Sequence, residues 1–342
     1  MNHRNIEALA NRKTDHLNLA QKSQLDVATQ DKRFFYEPLF SAHPSINDDQ
    51  LRTSFLGKQM KAPIWVSSMT GGSGEAGPIN KILAKICSEY GLGFGLGSCR
   101  SLLDSDEFFE DFNLRSTLGD LPFLANIGIA QLEQLVRENK TQKLDDLVDR
   151  LQADGLIIHV NPLQEYFQPE GDRFTLAPLE TITKFLEVTK SKIVVKEVGQ
   201  GMGPKSLEAL MSLPISAIEF GAYGGTNFSY LEQQRDVTSG NDKGLGLATV
   251  GHTCDEMVVM LNRIIAQKEN AKEHIPEIII SGGVKSFLDG YYLMQKCDAQ
   301  SVYGQAKGFL EHAFKGEDAL RAYVENQILG LKMAYSYLKI RD

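Results

Sequence analysis

The sequence is poor in cysteine and has no long apolar run, and each shortage excludes a class of protein. Its 342 residues include four cysteines, widely spaced and without a CxxC pair, so a structural zinc site is not expected. Free thiols predict a reducing, cytoplasmic location. No segment approaches the roughly 20 apolar residues of a membrane span. The polar start, Met1 to Lys13, also lacks an apolar signal core. We therefore expect no membrane partner.

Positive charge is scarce as well. Lysine and arginine number 36 against 44 aspartate and glutamate residues, which gives a net charge of −8. Broad nucleic-acid binding needs a basic surface that neutralises phosphates, so no nucleic-acid partner is expected. A local basic pocket for a small phosphate stays compatible with this balance. The chain also has no GxSxG and no HExxH motif, which removes two hydrolase classes.

What the chain does have is a regular alternation of short apolar segments and longer helical patterns. Eight apolar segments predict strands, at 62–68, 93–97, 121–125, 156–160, 192–196, 217–220, 277–280 and 299–303. Helices are predicted at 80–90, 132–153, 178–189, 206–212, 253–267, 287–295 and 316–338.

Eight strand–helix repeats are the number that closes an α/β fold into a (β/α)₈ TIM barrel, here over residues 62–342. Residues 1–61 predict an N-terminal helix, at 1–20, and an extended arm or hairpin that packs on the barrel. An open doubly wound sheet is the competing architecture. It is disfavoured because no GxGxxG opens the first strand–helix unit.

Polar or glycine-rich clusters follow the strands, at the face where barrel sites lie. Ser281-Gly282-Gly283 and Gly304-Gln305-Ala306 follow the last two strands and together predict a phosphate site, although each alone is an ordinary turn. Ser68 to Gly72, Ser98, Asn126 and Lys196 end other strands. Small, amide and ammonium side chains in these places predict contacts with the polar edge of a flat heterocycle.

The stretch from His159 to Arg173 carries the densest set of polar groups. His159, Asn161, Gln164 and Glu165 emerge within seven positions of a buried strand, and Pro162 keeps a regular helix from starting earlier. This spacing predicts a ligand site at the end of the fourth strand.

Taken together, the motifs resemble type 2 isopentenyl-diphosphate isomerase, an FMN-dependent enzyme of isoprenoid synthesis. The matching motifs are Arg12-Lys13-x-x-His16, Met69-Thr70-Gly71-Gly72, Gly97-Ser98-x-Arg100, His159-x-Asn161-x-x-Gln164-Glu165, Gln168-Pro-Glu-Gly-Asp-Arg173, Lys196-Glu197-Val198-Gly199-x-Gly201, Gly224-Gly225-Thr226 and Ser281-Gly282-Gly283. They extend over nearly the whole chain in one order, and the fourth and fifth are the most specific.

The resemblance implies FMN at the barrel mouth, Mg²⁺, NADPH as reductant of the flavin, and a homo-oligomer of four or eight chains. It assigns FMN contacts to Ser68, Met69, Thr70, Ser98, Asn126, Lys196, Thr226, Gly282, Gly283, Gln305 and Ala306. It assigns substrate contacts to Arg12, Lys13, His16, Arg100, His159, Asn161, Gln164 and Glu232. Glu165 would hold Mg²⁺. Gln164, His159 and Asn161 would serve catalysis, Gln164 by orienting groups because an amide does not titrate usefully.

The chain departs from the family pattern after the Gly-Gly-Thr loop. Gly244-Leu-Gly-Leu-Ala-Thr249 stands where members have Trp-Gly-Ile, and the only tryptophan is Trp65. The glycine-rich segment from Phe228 to Gly251 is expected to be mobile. Two other functions remain open. One is a flavin barrel oxidoreductase of the 2-hydroxy-acid oxidase type, and the other is a non-catalytic flavin or isoprenoid-phosphate binding protein.

Overall fold

The centre of the protein is a closed barrel of eight parallel strands that follow one another in chain order. The computed structural model describes residues 3–45, 49–68, 71, 76–235, 245–268 and 274–341. The barrel strands are β4 (Ile64–Val66), β5 (Gly93–Gly95), β6 (Phe123–Gly128), β7 (Gly155–Val160), β8 (Ile193–Glu197), β9 (Ala217–Glu219), β10 (Glu277–Ser281) and β11 (Ser301–Gln305). Pairing of β11 with β4 closes the ring. The predicted (β/α)₈ barrel is confirmed.

Helices surround the barrel and connect its strands. They are α1 (His3–Ala20), α2 (Ala76–Tyr90), α3 (Phe109–Phe112), α4 (Arg115–Leu118), α5 (Ile129–Arg137), α6 (Gln142–Leu151), α7 (Pro162–Phe167), α8 (Pro178–Leu186), α9 (Pro204–Met211), α10 (Phe228–Arg235), α11 (Leu245–Ala248), α12 (Cys254–Ala266), α13 (Phe287–Lys296), α14 (Lys307–Ala313) and α15 (Glu317–Tyr337). Short 3-10 turns occupy Val27–Thr29 and Arg100–Leu103. No helix in the described ranges is long and apolar enough to cross a membrane.

Local sequence explains several helix starts. Thr253 with Glu256, and Ser286 with Asp289, form capping boxes that satisfy the first free N–H groups of α12 and α13. Proline begins α7, α8 and α9, where its missing N–H costs nothing.

Side chains along the barrel strands alternate between the helical shell and the interior, as a period of two requires. The outward residues, such as Ile158 and Ile218, join the large core beneath the helices. The inward residues form a smaller cluster inside the barrel. It contains Trp65, Leu124, Ile157, Val194, Ala217, Ile279 and Val302.

A hairpin from the N-terminal arm closes the lower end of this interior. Strands β2 (Thr53–Phe55) and β3 (Lys58–Met60) carry Phe55, Leu56 and Met60 into the inner cluster. Glu277 at the start of β10 accepts a hydrogen bond from the Leu56 N–H at 2.6 Å. The lower end is therefore an apolar plug, and the upper, C-terminal end is left for the site.

The rest of the arm lies on the outside. Strand β1 (Phe34–Tyr36) pairs antiparallel with β12 (Leu338–Ile340), so the arm joins the chain's last strand. The described side chains of α1, from Asn11 onward, are exposed. Treating 1–61 and 62–342 as separate units stays a prediction.

Two details of the secondary-structure prediction were wrong. The helix predicted at 132–153 is two helices, α5 and α6, because Asn139 adopts a left-handed φ of 54° that asparagine tolerates. Asn126 lies within β6 and not after it. The segment from Phe228 to Gly251 contains α10 and α11 in its described parts, and residues 236–244 lie outside the described ranges. The mobility of this segment stays a prediction.

Candidate active site

On seven of the barrel strands, the residue two positions after the inward apolar side chain, toward the C-terminal end, is polar or glycine. We call this set the polar layer. It consists of Ser67, Asn126, His159, Lys196, Glu219, Ser281 and Gly304. Strand register places its members side by side, with His159 opposite Lys196 and Lys196 opposite Glu219. The alternation that fills the plug with apolar groups thus also aims polar groups into the barrel mouth.

A cavity of about 430 Å³ opens above one side of the polar layer. Its walls come from the ends of β4, β8, β9, β10 and β11 and from the loops that follow them. Among its lining residues are Ser67, Ser68, Lys196, Glu219, Thr226, Ser281, Gly282, Gly283, Lys285, Gln305, Ala306 and Lys307. A volume of this order suits a small-molecule ligand. Two lysines at the β10 and β11 loops add positive charge where the sequence predicts a phosphate.

Backbone conformation shapes this cavity. Gly282 has φ 93°, a region that L side chains rarely adopt, and a Cβ there would collide with the backbone of Ala222. Gly221, with φ 52°, has no room for a Cβ against the Glu197 carbonyl. The chain therefore approaches itself closely where the cavity wall turns, and glycine is required at both positions.

Several buried polar atoms at the cavity have no protein partner among the described residues. They are the hydroxyl oxygens of Ser67 and Ser68 and the Oε2 atom of Glu219. Buried polar groups in folded proteins are nearly always hydrogen-bonded, so a cluster of unpartnered ones at one cavity indicates a ligand with polar atoms.

Lys196 and Glu197 sit at the join between the two sides of the mouth. The Lys196 ammonium donates to the Glu197 carbonyl at 2.7 Å. The Glu197 carboxylate accepts from the N–H groups of Gly199, Gln200 and Gly201 at 2.6–2.8 Å. Burial raises the pKa of this carboxyl, against the opposing effect of those three hydrogen bonds. Lys196 is thereby held in place, buried and facing the barrel interior.

On the other side of the mouth, His159 is held in one orientation by Asn126. The Asn126 amide nitrogen donates to the Leu96 carbonyl at 3.0 Å, so its Oδ1 accepts from His159 Nδ1 at 2.7 Å. His159 Nε2 is then left as an acceptor. Burial, and secondarily the charge of Lys196, lower the pKa of His159 to about 3. The imidazole is therefore neutral at neutral pH.

Helix α7 positions the remaining polar groups of the β7 end. The Asn161 amide nitrogen donates to Gln164 Oε1 and to Glu165 Oε1, both at 3.1 Å. Asn161 Oδ1 is buried and has no partner in the described part of the chain. Glu165 is buried, and its Oε2 accepts from the Asp172 N–H at 2.7 Å. Helix α7 begins at Pro162, so no regular helix starts before this proline, as the sequence predicts.

The segment after α7, from Asp172 to Leu176, is held by hydrogen bonds that involve two carboxylates. Arg100 donates to Asp172 Oδ2 at 2.7 Å, and the Gln131 amide donates to the same oxygen at 2.6 Å. Buried Glu133 accepts from the Thr175 N–H and hydroxyl and from the Leu176 N–H at 2.8–3.2 Å. Arg100 is thus linked to Glu165 through Asp172, although Arg100 itself remains exposed.

Helix α10 borders α7 and carries Glu232. Glu232 is buried and accepts from Arg235 at 2.6 Å, and Arg235 also pairs with Glu170 at 2.8 Å. The divergent stretch beyond it is anchored as well. Gln200 donates to the carbonyls of Leu247 and Val250, and Asn227 donates to that of Ala248.

The structure gathers most of the predicted site residues into two groups. The cavity is lined by Ser68, Lys196, Thr226, Gly282, Gly283, Gln305 and Ala306. The β7 side holds Asn126, His159, Asn161, Gln164, Glu165 and Arg100. Ser98 lies at the end of β5 and outside the cavity lining. Met69 and Thr70 lie outside the described residues. Arg12, Lys13 and His16 are exposed on α1 and do not line the cavity.

Two side chains predicted to contact the cofactor make hydrogen bonds within the protein. The Asn126 amide bonds to Leu96 and His159. The Gln305 amide donates to the Val284 carbonyl and accepts from the Tyr323 hydroxyl. Their cofactor contacts stay predictions. Sequence reasoning missed Ser67 and Glu219. The alternation along β4 and β9 could have found them, since each lies two residues beyond an inward apolar side chain.

Fold and site together define the class: a (β/α)₈ barrel enzyme with its site at the C-terminal ends of the strands. Solved structures share this fold. A mandelate oxidase mutant with the monooxide FMN adduct has a TM-score of 0.54 at 12% identity, covering 90% of this chain and 88% of that one. A flavocytochrome b2 mutant with benzoylformate has a TM-score of 0.59 at 14% identity, covering 88% and 70%. At these identities the likeness shows the fold alone.

Sequence relatives narrow the class. The chain is 35% identical over 329 residues to isopentenyl-diphosphate delta-isomerase of Rickettsia felis, covering 94% of this chain and 90% of the relative. It is 34% identical over 328 residues to the protein of the same name from Rickettsia rickettsii (strain Sheila Smith), covering 94% and 91%. No family model matches the chain. The chain belongs to the isopentenyl-diphosphate delta-isomerase family, which confirms the resemblance found in its motifs, and it is an isomerase.

Proposed function

We propose that this protein converts isopentenyl diphosphate to dimethylallyl diphosphate, with FMN, Mg²⁺ and NADPH as reductant of the flavin. The observation that carries the proposal is the cavity with its unpartnered polar atoms, in a chain of this family that also holds the Asn161–Gln164–Glu165 group at the end of β7. Two ligands can then meet at the polar layer, one from each side.

The cavity residues fit FMN. Gly282, Gly283 and Ala306 present backbone to an anion, with Lys285 and Lys307 nearby. The unpartnered oxygens of Ser67, Ser68 and Glu219 suit the hydroxyl and N–H groups of a flavin. When bound in reduced form, FMN supplies groups that can give and accept a proton, and buried Lys196 favours negative charge beside it.

The β7 side fits a magnesium diphosphate. Magnesium commonly binds one or two carboxylates and takes its other ligands from phosphate and water. Glu165 offers a buried carboxylate of this kind, and among the described residues no cluster of three metal-ligating side chains competes with it. Arg100 and neutral His159 would contact the diphosphate, and Glu232 would border the substrate. The exposed Arg12, Lys13 and His16 would join them when α1 moves or packs against the mouth.

Moving a double bond by one carbon needs a proton added at one carbon and removed from another. An alkene is a weak base, so the reaction needs a site without bulk water. The plug and the buried polar layer exclude water from below. Gln164, fixed by Asn161, would orient the reacting groups, because its amide does not titrate. We further propose a cytoplasmic homo-oligomer of four or eight chains, without nucleic-acid or membrane partners.

The test is an isomerase assay on purified protein with FMN, NADPH and Mg²⁺, run beside a flavin-binding titration. Gln164→Asn and Glu165→Gln should each leave FMN affinity unchanged and lower kcat by at least about 100-fold. Glu180→Gln is the matched control, because Glu180 lies exposed on α8 and pairs only with Lys184 in the described contacts. Normal turnover in both site variants would refute the assignment of the β7 side.

The same assay separates the alternatives. Isomerisation needs NADPH only to reduce the flavin, so far less than one NADPH is consumed per product formed. Consumption of one NADPH per product would instead identify an oxidoreductase. Binding of FMN and substrate without exchange of solvent deuterium into the substrate would identify a non-catalytic binding protein. An Arg12→Ala/Lys13→Ala variant tests the arm: a raised KM with unchanged FMN affinity supports its role in diphosphate binding.

A further inference from the structure

Glu219 is a buried carboxylate that lines the cavity. It ends β9 and has no solvent-exposed surface. Its Oε1 accepts from the Ser281 hydroxyl at 3.0 Å. Its Oε2 is buried and has no hydrogen-bond partner within the described ranges, and the residue lines the cavity. A buried carboxylate with one protein donor is costly, so the second oxygen needs an explanation.

A purely structural role accounts for only one of the two carboxylate oxygens, Oε1. Through Oε1 it fixes Ser281, whose hydroxyl also accepts from the Gly221 N–H at 3.1 Å. That chain of contacts holds the turn at Gly221, where the cavity wall begins. It leaves Oε2 with nothing to accept from. Ser67 and Ser68, whose hydroxyls border the same cavity, have no partner either.

The position of Glu219 identifies the kind of donor that Oε2 meets. The anion-binding loops follow β10 and β11, and the ammonium of Lys196 lies on β8. Glu219 stands between them on β9 and is drawn toward β10 by Ser281. A phosphate cannot be its partner, because like charges repel. The group that links a flavin's phosphate to its ring is a polyol chain, and each of its hydroxyls can donate to a carboxylate.

We infer that Glu219 is an FMN-binding residue whose Oε2 accepts a hydrogen bond from a ribityl hydroxyl. The inference rests on the proposed flavin site and adds a specificity to it. The cavity would select a flavin that carries a polyol, because a ligand without that hydroxyl would leave a buried carboxylate oxygen unpaired.

The test measures the affinity of the apoprotein for FMN, for FMN analogues in which one ribityl hydroxyl at a time is replaced by hydrogen, and for lumiflavin, which has no ribityl chain. Loss of a hydrogen bond to a charged group costs about tenfold or more in affinity. The wild-type protein should therefore bind one deoxy analogue at least about tenfold more weakly than FMN. Glu219→Gln should weaken FMN similarly and lose the discrimination between FMN and that analogue.

Glu277→Gln is the matched control, since Glu277 lies at the opposite end of β10 and contacts Leu56 in the plug. Its affinity for FMN should be unchanged. Two results in the binding series would overturn the inference: equal affinity of the wild-type protein for FMN and every deoxy analogue, or equal weakening of lumiflavin and FMN binding by Glu219→Gln. It is also overturned if the affinity lost through Glu219→Gln and the affinity lost through the missing hydroxyl are fully additive in free energy. The wild-type series decides the matter alone if the variant does not fold. Failure of FMN itself to bind would instead refute the proposed function.

Discussion

The two sides of the barrel mouth are built in different ways. On the side of β9, β10 and β11, the wall is mainly backbone, and its shape depends on glycines such as Gly221 and Gly282 that approach other main-chain atoms. On the side of β6 and β7, the shape depends on side chains. Asn126 holds His159, Asn161 holds Glu165, and Glu133 holds the segment after α7. On the first side, a Cβ added at Gly221 or Gly282 would collide with main-chain atoms. On the second side, the loss of a hydrogen bond would free a side chain that shapes the site.

This difference implies that substitutions on the two sides of the barrel mouth should affect different properties of the protein. A change in the backbone wall should affect cofactor affinity first, and a change in the side-chain network should affect substrate handling or local stability first. The two sides meet at Lys196, which faces the cavity and lies opposite His159 in the sheet.

The largest effect is expected from Gly282→Ala. The new Cβ would strain a backbone at φ 93° and collide with Ala222, which costs about 1–3 kcal/mol before any loss of fit to the anion. FMN affinity should fall by about 100-fold, measured by fluorescence titration. Gly246→Ala is the control, because a Cβ there meets open space in α11. Equal FMN affinities in the two variants would show that the backbone wall does not shape the cofactor site.

A smaller effect is expected from Glu133→Gln on the other side. Burial raises the pKa of the Glu133 carboxyl, but hydrogen bonds from Thr175 and Leu176 outweigh it, and the pKa lies below its usual value. The amide would leave buried N–H groups short of an acceptor, which should lower the free energy of unfolding by about 2 kcal/mol. Because the wild-type pKa is depressed, the difference between the two proteins should shrink as the pH falls through the acid range.

Urea denaturation at several pH values measures this difference. Glu138→Gln is the control at the end of the same helix, since Glu138 pairs only with surface groups in the described contacts, and it should leave the stability nearly unchanged. FMN affinity should be unchanged in both variants. A loss of FMN binding in Glu133→Gln would mean that the two sides are not independent.

The sequence foretold the backbone side better than the side-chain side. Glycine pairs after β10 and β11 and the count of eight strands follow from local pattern, because turns and strand periodicity are local properties. The partners of Asn126, Glu133 and Asp172 do not follow, because each of these contacts joins positions 33 to 42 residues apart. Glu219 was missed although it lies two residues after the inward Ala217 on the same strand, which is a local pattern. A single acidic residue at the end of a strand looks in the sequence like an exposed residue at the edge of a sheet.

The last expected effect is a pH dependence at His159, which lies opposite Lys196 in the sheet. Its pKa of about 3 in the folded protein lies below the ordinary value of about 6.5, so the unfolded chain binds the proton first as the pH falls. The stability that neutral His159 contributes is therefore present above about pH 6.5 and is lost gradually as the pH falls toward 3. His159→Asn removes the titrating group and should flatten the stability profile between pH 6.5 and 5. Urea midpoints across this range, compared with the wild-type protein, provide the measurement. Identical profiles would show that His159 keeps an ordinary pKa, and that neither its burial nor the charge of Lys196 shifts that pKa.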